Sequence, residues 1–582
     1  MILQALTEYY RVLENIGSVP PFGWGEVKVS FVLSIGADGT LERVSFTQKE
    51  HGKGSKKELE RQPIVLPAAV KRASGITSNF LWDNSSYILG VDNKGKPQRA
   101  MECFRACRKL HEKLLQGVNS KAAQAVLAFF RKWQPENAFS HPALTTCWDE
   151  ITAGGYLVFQ YDGDFVHQDM LVRQAWDDYY QGTSEDDVPQ MVCMVTGERG
   201  PVEYIHPSIK GVAGAQPTGA ALVSFNAPAF CSYGKKQNYN APTSKYAAFA
   251  YTTALNHLLA DWKHVCRIGD VTVVYWAKSG ESVYQEFMDW ALYGAELTAN
   301  LDSLEEALEN ICDGIPADID NMQVRPDMEF YILGLAPSAA RLSVRFFLHN
   351  TFGSLLRNIQ AHQKRLEVVK PAYDTVELLP LWRLLGETVN PNIRNQAPAP
   401  GMTSELLSAV LNNTRYPVSL LNSVILRIRA ERKLTRGRAA ILKAYYLKNP
   451  HPDVPMEVLT VSLNPDSTNV PYTLGRLFSV LEAIQSAAIP GINSSIKDKF
   501  FNSASATPAA VFPVLLNLSQ KHLRKLDGGL RVFYDKQITE LLSKLGEGYP
   551  LHLNLPQQGS FQLGYYHQTQ RRYEKKEEKS DG

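Results

Sequence analysis

The sequence predicts an α+β protein, in which a large mixed α/β N-terminal region with antiparallel hairpins precedes an all-α C-terminal helical bundle. Two patterns support this class. Apolar and polar residues alternate near the N-terminus and again around residues 328–348, which is the two-residue period of β-strands. Beyond about residue 400 the alternation disappears and helix-length amphipathic segments follow one another. A chain of 582 residues is also long enough for several domains of ~100–200 residues each.

The N-terminal elements follow from these periods. Residues 1–16 carry apolar side chains at helical spacing, and residues 27–35 and 41–47 alternate on either side of a hairpin turn at 37–40. The charged, glycine-containing segment 49–61 is expected to be a mobile loop. Farther along, the patterns predict helices at 100–116, 120–133, 169–181 and 246–261, strands at 156–161, 191–195, 220–225 and 271–277, and a hairpin that joins 328–335 to 341–348.

The C-terminal part is predicted to be helical. Helices are expected at 403–411, 417–430, 435–448, 473–488, 507–525 and 529–546. Pro-rich segments at 390–401 and 449–455 mark the expected boundaries. They divide the chain into a mixed α/β region at 1–400, a basic helical connector at 401–455, a helical bundle at 456–570 and a charged, disordered tail at 571–582.

The composition is that of a globular protein, with 44% hydrophobic and 21% charged residues. No apolar run approaches the ~18 residues that suggest a membrane span. The N-terminus does not resemble a signal peptide, and the seven cysteines are too scattered for a disulfide framework. We therefore expect a cytoplasmic protein that does not enter a membrane.

Charge is unevenly distributed, although the net charge is only +2. Residues 281–329 hold thirteen acidic residues and one basic residue. Residues 415–448 hold nine basic residues and one acidic residue, a pattern typical of nucleic-acid binding but also of a solvated helix face. The basic residues at the centre of this stretch are Arg427, Arg429, Arg432, Lys433, Arg436 and Arg438.

The sequence offers little sign of catalysis. Residues 90–97 have the spacing of a phosphate-binding P-loop, but Pro97 replaces the hydroxyl residue that would hold magnesium. Cys103 and Cys107 lack the second ligand pair that a zinc site needs. We therefore predict a protein that is not an enzyme and has no cofactor or metal. Two alternatives stay open: a metal-dependent nuclease that uses carboxylates of the acidic regions, and a structural protein that only bridges partners.

Two polar loops combine the side chain types that recognise DNA. Amides hydrogen-bond base edges, cations neutralise phosphates, and aromatic rings stack on bases or wedge between them. A rigid polar loop that caps a sheet would have a similar composition. The loop at 224–242 contains Asn226, Tyr233, Lys235, Lys236, Gln237 and Asn240, and the loop at 71–84 contains Lys71, Arg72, Asn79, Phe80 and Asn84.

These loops belong to a series of segments that resemble the large subunit of type I-C CRISPR surveillance (Cascade) complexes. The segments span nearly the whole chain, and several long matches in order are more specific than any single motif. At Cys231 the chain departs from the family pattern, which has a larger polar residue there. The segments are VKRASGI at 70–76, NFLWDN at 79–84, SFNAPAF at 224–230, SYG at 232–234, RLSVRFF at 341–347, GRAA at 437–440, GRLF at 475–478 and SASATP at 503–508.

The resemblance implies a non-catalytic DNA-recognition subunit of an RNA-guided antiviral complex. Such a subunit lies at the 5′ end of the CRISPR RNA, beside the backbone and 5′-handle-binding subunits. It reads the protospacer-adjacent motif in double-stranded target DNA, helps to unwind the duplex into an R-loop, and recruits the helicase-nuclease. The N-terminal region would then recognise DNA, and the C-terminal bundle would be similar to the small subunit, which lines the displaced single strand.

The resemblance also assigns roles to the residues named above. The six central residues of the basic stretch would follow the displaced non-target strand. Family members make a separate small subunit from an internal start in the same reading frame, and Met456, just after the Pro-rich boundary, is the expected start. We expect motif readout or wedging from Asn79, Phe80, Asn84, Asn226, Tyr233, Gln237 and Asn240, and phosphate binding from Lys71, Arg72, Lys235 and Lys236.

Overall fold

The computed structural model describes residues 1–51, 58–61, 63–70, 75–92, 95–182, 189–293, 301–319, 322–394, 396–546 and 548–573. The chain divides into two compact units. Unit 1 comprises Met1–Pro207 and Ser224–Ala254, and unit 2 comprises Ser208–Val223 and Leu255–Gly582. Small sheets lie in the N-terminal half and helices dominate the C-terminal part, which confirms the α+β class.

Unit 1 combines short strands with helices. Its helices are α1 (Ile2–Asn15), α2 (Ser85–Ile88), α3 (Pro97–Leu115), α4 (Lys121–Lys132), α5 (Trp148–Ala153) and α6 (Met170–Gly182). Its strands are β1 (Trp24–Lys28), β2 (Phe31–Ile35), β3 (Leu41–Phe46), β4 (Gln48–His51), β5 (Glu58–Arg61), β6 (Pro63–Pro67), β7 (Trp82–Asp83), β8 (Leu157–Tyr161), β9 (Asp164–Phe165), β10 (Gln190–Val192) and β11 (Arg199–Pro201). Helix α7 (Lys245–Ala260) begins in unit 1 and ends in unit 2.

The main sheet of unit 1 has the strand order β3-β2-β8-β7, with β9 paired to β8. Strands β2 and β8 run parallel, and the other neighbours run antiparallel. Phe31 and Leu33 of β2 pack with Phe129 of α4 and Phe159 of β8 in one hydrophobic cluster. The turn between β2 and β3 approaches α4 so closely that a Cβ on Gly39 would collide with its backbone, and its φ of 80° also favours glycine.

Unit 2 contains fewer strands and most of the helices. Its strands are β12 (Val265–Ile268), β13 (Val271–Ala277), β14 (Ala317–Ile319), β15 (Met322–Val324), β16 (Glu329–Ser338) and β17 (Arg341–Thr351). Its helices are α8 (Val283–Tyr293), α9 (Leu301–Asp313), α10 (Phe352–Leu366), α11 (Leu381–Gly386), α12 (Met402–Leu411), α13 (Val418–Glu431), α14 (Arg436–Lys448), α15 (Val470–Ala488), α16 (Ile496–Ala506), α17 (Pro508–Leu523), α18 (Gly528–Ser543) and α19 (Leu555–Arg571).

The sheet and the helices of unit 2 share one hydrophobic core. The sheet is antiparallel with the order β12-β13-β16-β17. Tyr275, Ile332 and Phe346 on one face of the sheet belong to a cluster that continues through the helices as far as α19. The predicted domain boundaries at 400 and 455 therefore lie within a unit whose core spans both of them.

Most of the predicted elements are confirmed, with two exceptions. The segment 220–225 is not a strand, because only Ala220 and Ala221 form isolated bridges, to Ile209 and Arg341, and no neighbouring strand continues them. The segment 49–61 is not simply a loop, since β4 and β5 pair as an antiparallel hairpin there. Most of the charged tail, from residue 574 onward, lies outside the described residues.

Candidate nucleic-acid interface

The 224–242 loop lies in unit 1 and leads into α7. It contains two short 3₁₀ turns, Pro228–Phe230 and Gln237–Asn240. Hydrogen bonds tie its end to the region around β10 and β11: Met194 N–H donates to Pro242 O (2.8 Å), and Asn238 Nδ2 donates to Glu203 O (2.9 Å). The loop is therefore anchored to neighbouring backbone at its C-terminal side.

Asn240 closes the tip of the loop with its side chain. Its Oδ1 accepts a hydrogen bond from Ser232 N–H (2.9 Å), and its Nδ2 donates to Lys235 O (3.3 Å) and Gln237 O (2.8 Å). This amide is one of the side chains that the sequence predicts to read the motif. The geometry favours a positioning role instead, because both ends of the amide already bond loop backbone.

At the tip that Asn240 holds, Tyr233 is 98% exposed. Tyr233 has a φ of 53°, a left-handed conformation that costs a bulky side chain about 1–3 kcal/mol and persists only where neighbours hold it. Lys235 and Lys236 are also exposed, whereas Gln237 is half-buried with a φ of 47°. Asn226 is exposed elsewhere in the loop. The tip thus combines one projecting aromatic ring with two cations, the chemistry of a wedge beside a phosphate backbone.

The second predicted loop is mostly part of the folded interior. Phe80 is fully buried and stacks on Trp176, with ring centroids 5.4 Å apart, and Asn79 is also buried, with its Oδ1 accepting from Val70 N–H (2.9 Å). Neither side chain is exposed for readout or wedging, so we do not include them in the candidate interface. Asn84 is half-buried and caps α2 by accepting from Ser86 N–H (3.1 Å). Lys71 and Arg72 lie outside the described residues.

Acidification should weaken the anchoring of this second segment. His111 is buried, and its Nε2 accepts from Leu81 N–H (2.9 Å), so its Nδ1–H donates to Cys107 O (2.8 Å). Burial lowers the pKa of His111 to about 4 from its ordinary value of 6.5. The unfolded chain therefore binds this proton more readily, and stability should fall as the pH drops from about 6.5 towards 4. Between pH 7 and pH 5 the expected loss from His111 is about 2 kcal/mol.

Urea unfolding at the two pH values measures this loss. The variant H111Q has no titrating ring and should show a smaller pH dependence than the wild type. An unchanged pH dependence in H111Q would assign the effect to other buried histidines, of which His362 has a pKa lowered by burial to about 3.

The basic stretch separates into internal and exposed residues. Arg438 is buried between Glu387 (3.1 Å) and Glu431 (2.7 Å), and the side chain of Arg436 is 9% exposed and pairs with Asp374 (3.2 Å). Arg427 is half-buried and lies 3.5 Å from Glu431. The exposed members of the predicted set are Arg429, Arg432 and Lys433. These six residues therefore do not form one cationic row, and only the exposed three are placed to meet a polyanion.

The structure brings further cations to the exposed group from distant parts of the sequence. Burial lowers the pKa of Lys497 in α16, and nearby Arg572 and Lys433 lower it further, against the opposing effect of Glu482 and Asp498. Asn502 of the same helix donates to Arg429 O (3.0 Å), which ties α16 to α13. The sequence did not indicate Lys497 or Arg572 as part of this site. No local pattern shows that they come close to Lys433 in the folded chain.

Two features of other protein classes are absent from the described residues. Within them, no group of three or more His, Cys, Asp or Glu side chains is arranged to hold a metal ion. None of the described helices has both the length and the apolar character needed to cross a bilayer.

Comparison with known proteins identifies the class of the chain as CRISPR-associated. The family described as "CRISPR-associated protein (Cas_Csd1)" matches residues 6–573, almost the whole sequence. The chain therefore belongs to the Cas_Csd1 family, a family of Cascade large subunits, which confirms the resemblance to the type I-C large subunit. No curated protein sequence matches it significantly.

Proposed function

We propose that this chain is a non-catalytic large subunit that reads the protospacer-adjacent motif and helps to open the duplex, and that the tip of the 224–242 loop carries out this step. The main support is the set of hydrogen bonds through which the Asn240 side chain holds the tip of the loop. This tip has a strained backbone and presents the exposed ring of Tyr233 beside the cations Lys235 and Lys236. Guide pairing carries most of the sequence information in such complexes, so a small tip is sufficient for the motif.

The proposed assembly contains CRISPR RNA, the backbone and 5′-handle-binding subunits, a small subunit and a recruited helicase-nuclease. Family membership supports a place in a CRISPR complex. The exposed cations Arg429, Arg432 and Lys433, with Lys497 and Arg572, would hold the displaced strand through phosphate contacts.

The decisive experiment measures binding of the guide-loaded complex to duplexes whose sequence beside the target is randomised. Wild-type protein should enrich a few flanking bases, and omission of this chain should abolish the enrichment. Y233A should weaken duplex binding by about 10–100-fold, since without the ring the cost of unstacking a base step, about a few kcal/mol, is no longer offset. On DNA that carries a pre-opened bubble beside the motif, Y233A should bind like the wild type, because a wedge acts only while strands are paired.

Two controls define the role of the tip. Y233F keeps the ring and should retain nearly all duplex binding. N240A should behave like Y233A on duplex DNA, because the tip loses its three hydrogen bonds. Equal losses for Y233A on duplex and bubble DNA would contradict a wedge, and binding independent of the flanking sequence would leave the chain as a scaffold.

Removal of the two lysines should have a different signature. The double variant K235Q/K236Q should weaken binding to all flanking sequences alike and flatten the slope of log K against log salt concentration by about 1 per lysine. The matched variant K235R/K236R keeps both charges and should keep the slope. A changed sequence preference with an unchanged slope would reverse the assignment of these lysines.

Met456 is proposed as the start of the small subunit. It lies in the 3₁₀ turn Met456–Val458 between α14 and α15, at the beginning of the segment that carries the last five helices. Replacing its codon with one that cannot initiate, such as the leucine codon CTC, should remove a short product that copurifies with the complex. Persistence of that product would exclude Met456 as its start.

A further inference from the structure

Unit 1 contains a polar cavity that is formed by residues outside the 224–242 loop. Its volume is about 400 Å³, within the ~300–1,000 Å³ typical of small-molecule sites. It lies where the end of β1, the start of α2 and the turn between α5 and β8 meet. Its lining includes Lys28, Asn84, Asp92, Gly154, Gly155 and Tyr156.

One part of the lining supplies hydrogen-bond donors. Lys28 is exposed and forms no ion pair with any residue that the structure describes. The Oδ1 of Asn84 is occupied by the cap of α2, whereas its Nδ2 donates to no described residue. Gly154 and Gly155 have φ values of 139° and 117°, and in the described part of the chain neither backbone N–H donates a hydrogen bond. Together, this ammonium group, the amide and the backbone N–H groups are suited to bind a phosphate.

Gly155 is required by its surroundings as well as by its backbone conformation. A Cβ at this position would lie 2.6 Å from the buried Ser30 Oγ, which itself has no hydrogen-bond partner among the described residues. At Gly154, by contrast, a Cβ would meet no atom within 4 Å, because the neighbouring space is open. The glycine pair therefore lies where a side chain would strain the backbone and, at Gly155, would also collide with Ser30.

Two further residues make the cavity more than a phosphate site. Tyr156 is 39% exposed, and its ring meets Trp82 edge to face at a centroid distance of 4.9 Å. This contact fixes a ring on which a nucleobase can stack. Asp92 adds a carboxylate, which would repel a bare phosphate but accepts hydrogen bonds from a base amine or a ribose hydroxyl. Phosphate, sugar and base together match this mixture of groups.

We infer that this cavity binds one unpaired nucleotide of a nucleic-acid strand, with the phosphate at Lys28, Asn84 and the glycine pair and the base on Tyr156. The inference rests on the proposed nucleic-acid function but not on motif reading by the 224–242 loop. It gives Asn84 a phosphate-binding role in place of base readout, and it gives Tyr156 and the glycine pair a role that no sequence motif indicates.

The test uses the full chain and single-stranded decamers of DNA or RNA that contain 5-bromouracil, with bromouridine monophosphate as a third probe. Ultraviolet irradiation should crosslink bromouracil to the peptide that contains Tyr156, and Y156A should lose this crosslink while Y156F retains it. K28Q and N84D should each weaken decamer binding by about tenfold or more, the loss expected for one charge-assisted contact. Asp is itself a good helix cap, so N84D preserves the start of α2.

Each arm of this experiment supports or overturns the inference. K109Q, at an exposed lysine of α3 away from the cavity lining, should change decamer affinity less than twofold. Crosslinking of either decamer at Tyr156 supports a strand site, and a preference between them identifies the strand as RNA or DNA. Crosslinking of the monophosphate alone would overturn the strand assignment, and wild-type affinity in K28Q and N84D would overturn the phosphate site. Motif-dependent duplex binding, measured on the same preparations, reports separately on the 224–242 loop.

Discussion

Arg438→Ala should lower the free energy of unfolding by about 3–5 kcal/mol, the usual cost of removing one partner from a buried ion pair. The Arg438 side chain is 3% exposed and contacts two carboxylates, Glu387 and Glu431, which are themselves largely buried. Its Nη1 also donates to Lys433 O (2.8 Å). The alanine variant would leave Glu387 without its cation and Glu431 with only Arg427, 3.5 Å away, and urea unfolding followed by circular dichroism measures the loss.

Two comparisons separate this effect from the loss of an ordinary arginine. Arg415→Ala, in the same basic stretch, removes an exposed side chain that pairs with no described acid, and it should change stability by less than about 0.5 kcal/mol. The triple variant R438M/E387Q/E431Q removes the charge of Arg438 together with those of its two partners and should recover much of the stability. If Arg438→Ala cost no more than Arg415→Ala, the buried network would have no structural importance.

Gly475→Ala should destabilise unit 2 by about 3 kcal/mol or more, because helices α15 and α19 meet backbone to backbone. A Cβ on Gly475 would overlap Phe561 O and lie 2.8 Å from Tyr565 N. The contact is reciprocal, since a Cβ on Gly564 of α19 would overlap Tyr472 O of α15. Backbone atoms cannot turn aside as a flexible side chain can, so even one methyl group must separate the two helices.

Gly528→Ala is the matched control for this variant. Gly528 is the first residue of α18, and a Cβ there would meet nothing within 4 Å. Alanine favours the helix over glycine by up to about 1 kcal/mol, so this variant should be neutral or slightly stabilising. The two substitutions are chemically identical, but only Gly475→Ala should lower the thermal midpoint. Similar midpoints for both variants would contradict the close packing of α15 and α19.

The elements predicted correctly are those whose periodic pattern of apolar residues lies within one short stretch of sequence. The alternation at 27–47 gives the strands β2 and β3, and the alternation at 328–348 gives the pair β16 and β17. The apolar segment 220–225 misled the prediction, because apolar residues also fill irregular backbone where no partner strand is present. Helix α19 escaped prediction for the opposite reason: residues 558–568 are all buried, so the helix lacks the polar face that creates a helical period.

The candidate site was predictable in composition but not in geometry. Sequence composition selected the 224–242 loop, yet only the hydrogen bonds distinguish Asn240, which holds the tip, from Tyr233, which projects from it. The basic stretch appeared uniform because the acids that neutralise part of it, Asp374 and Glu387, lie earlier in the sequence. Charge counted along a chain cannot report pairing between residues that only folding brings together.

The packing of α19 has a consequence for any separate product that begins at Met456. In the full chain, Tyr566 Oη of this helix donates to Val369 O (2.7 Å), and Gly559 packs against the ring of Tyr446. A product beginning at Met456 would retain α19 but lose both of these neighbours. One side of its last helix would then be exposed to solvent. Such a product should therefore be stable only in a complex in which another subunit covers that side.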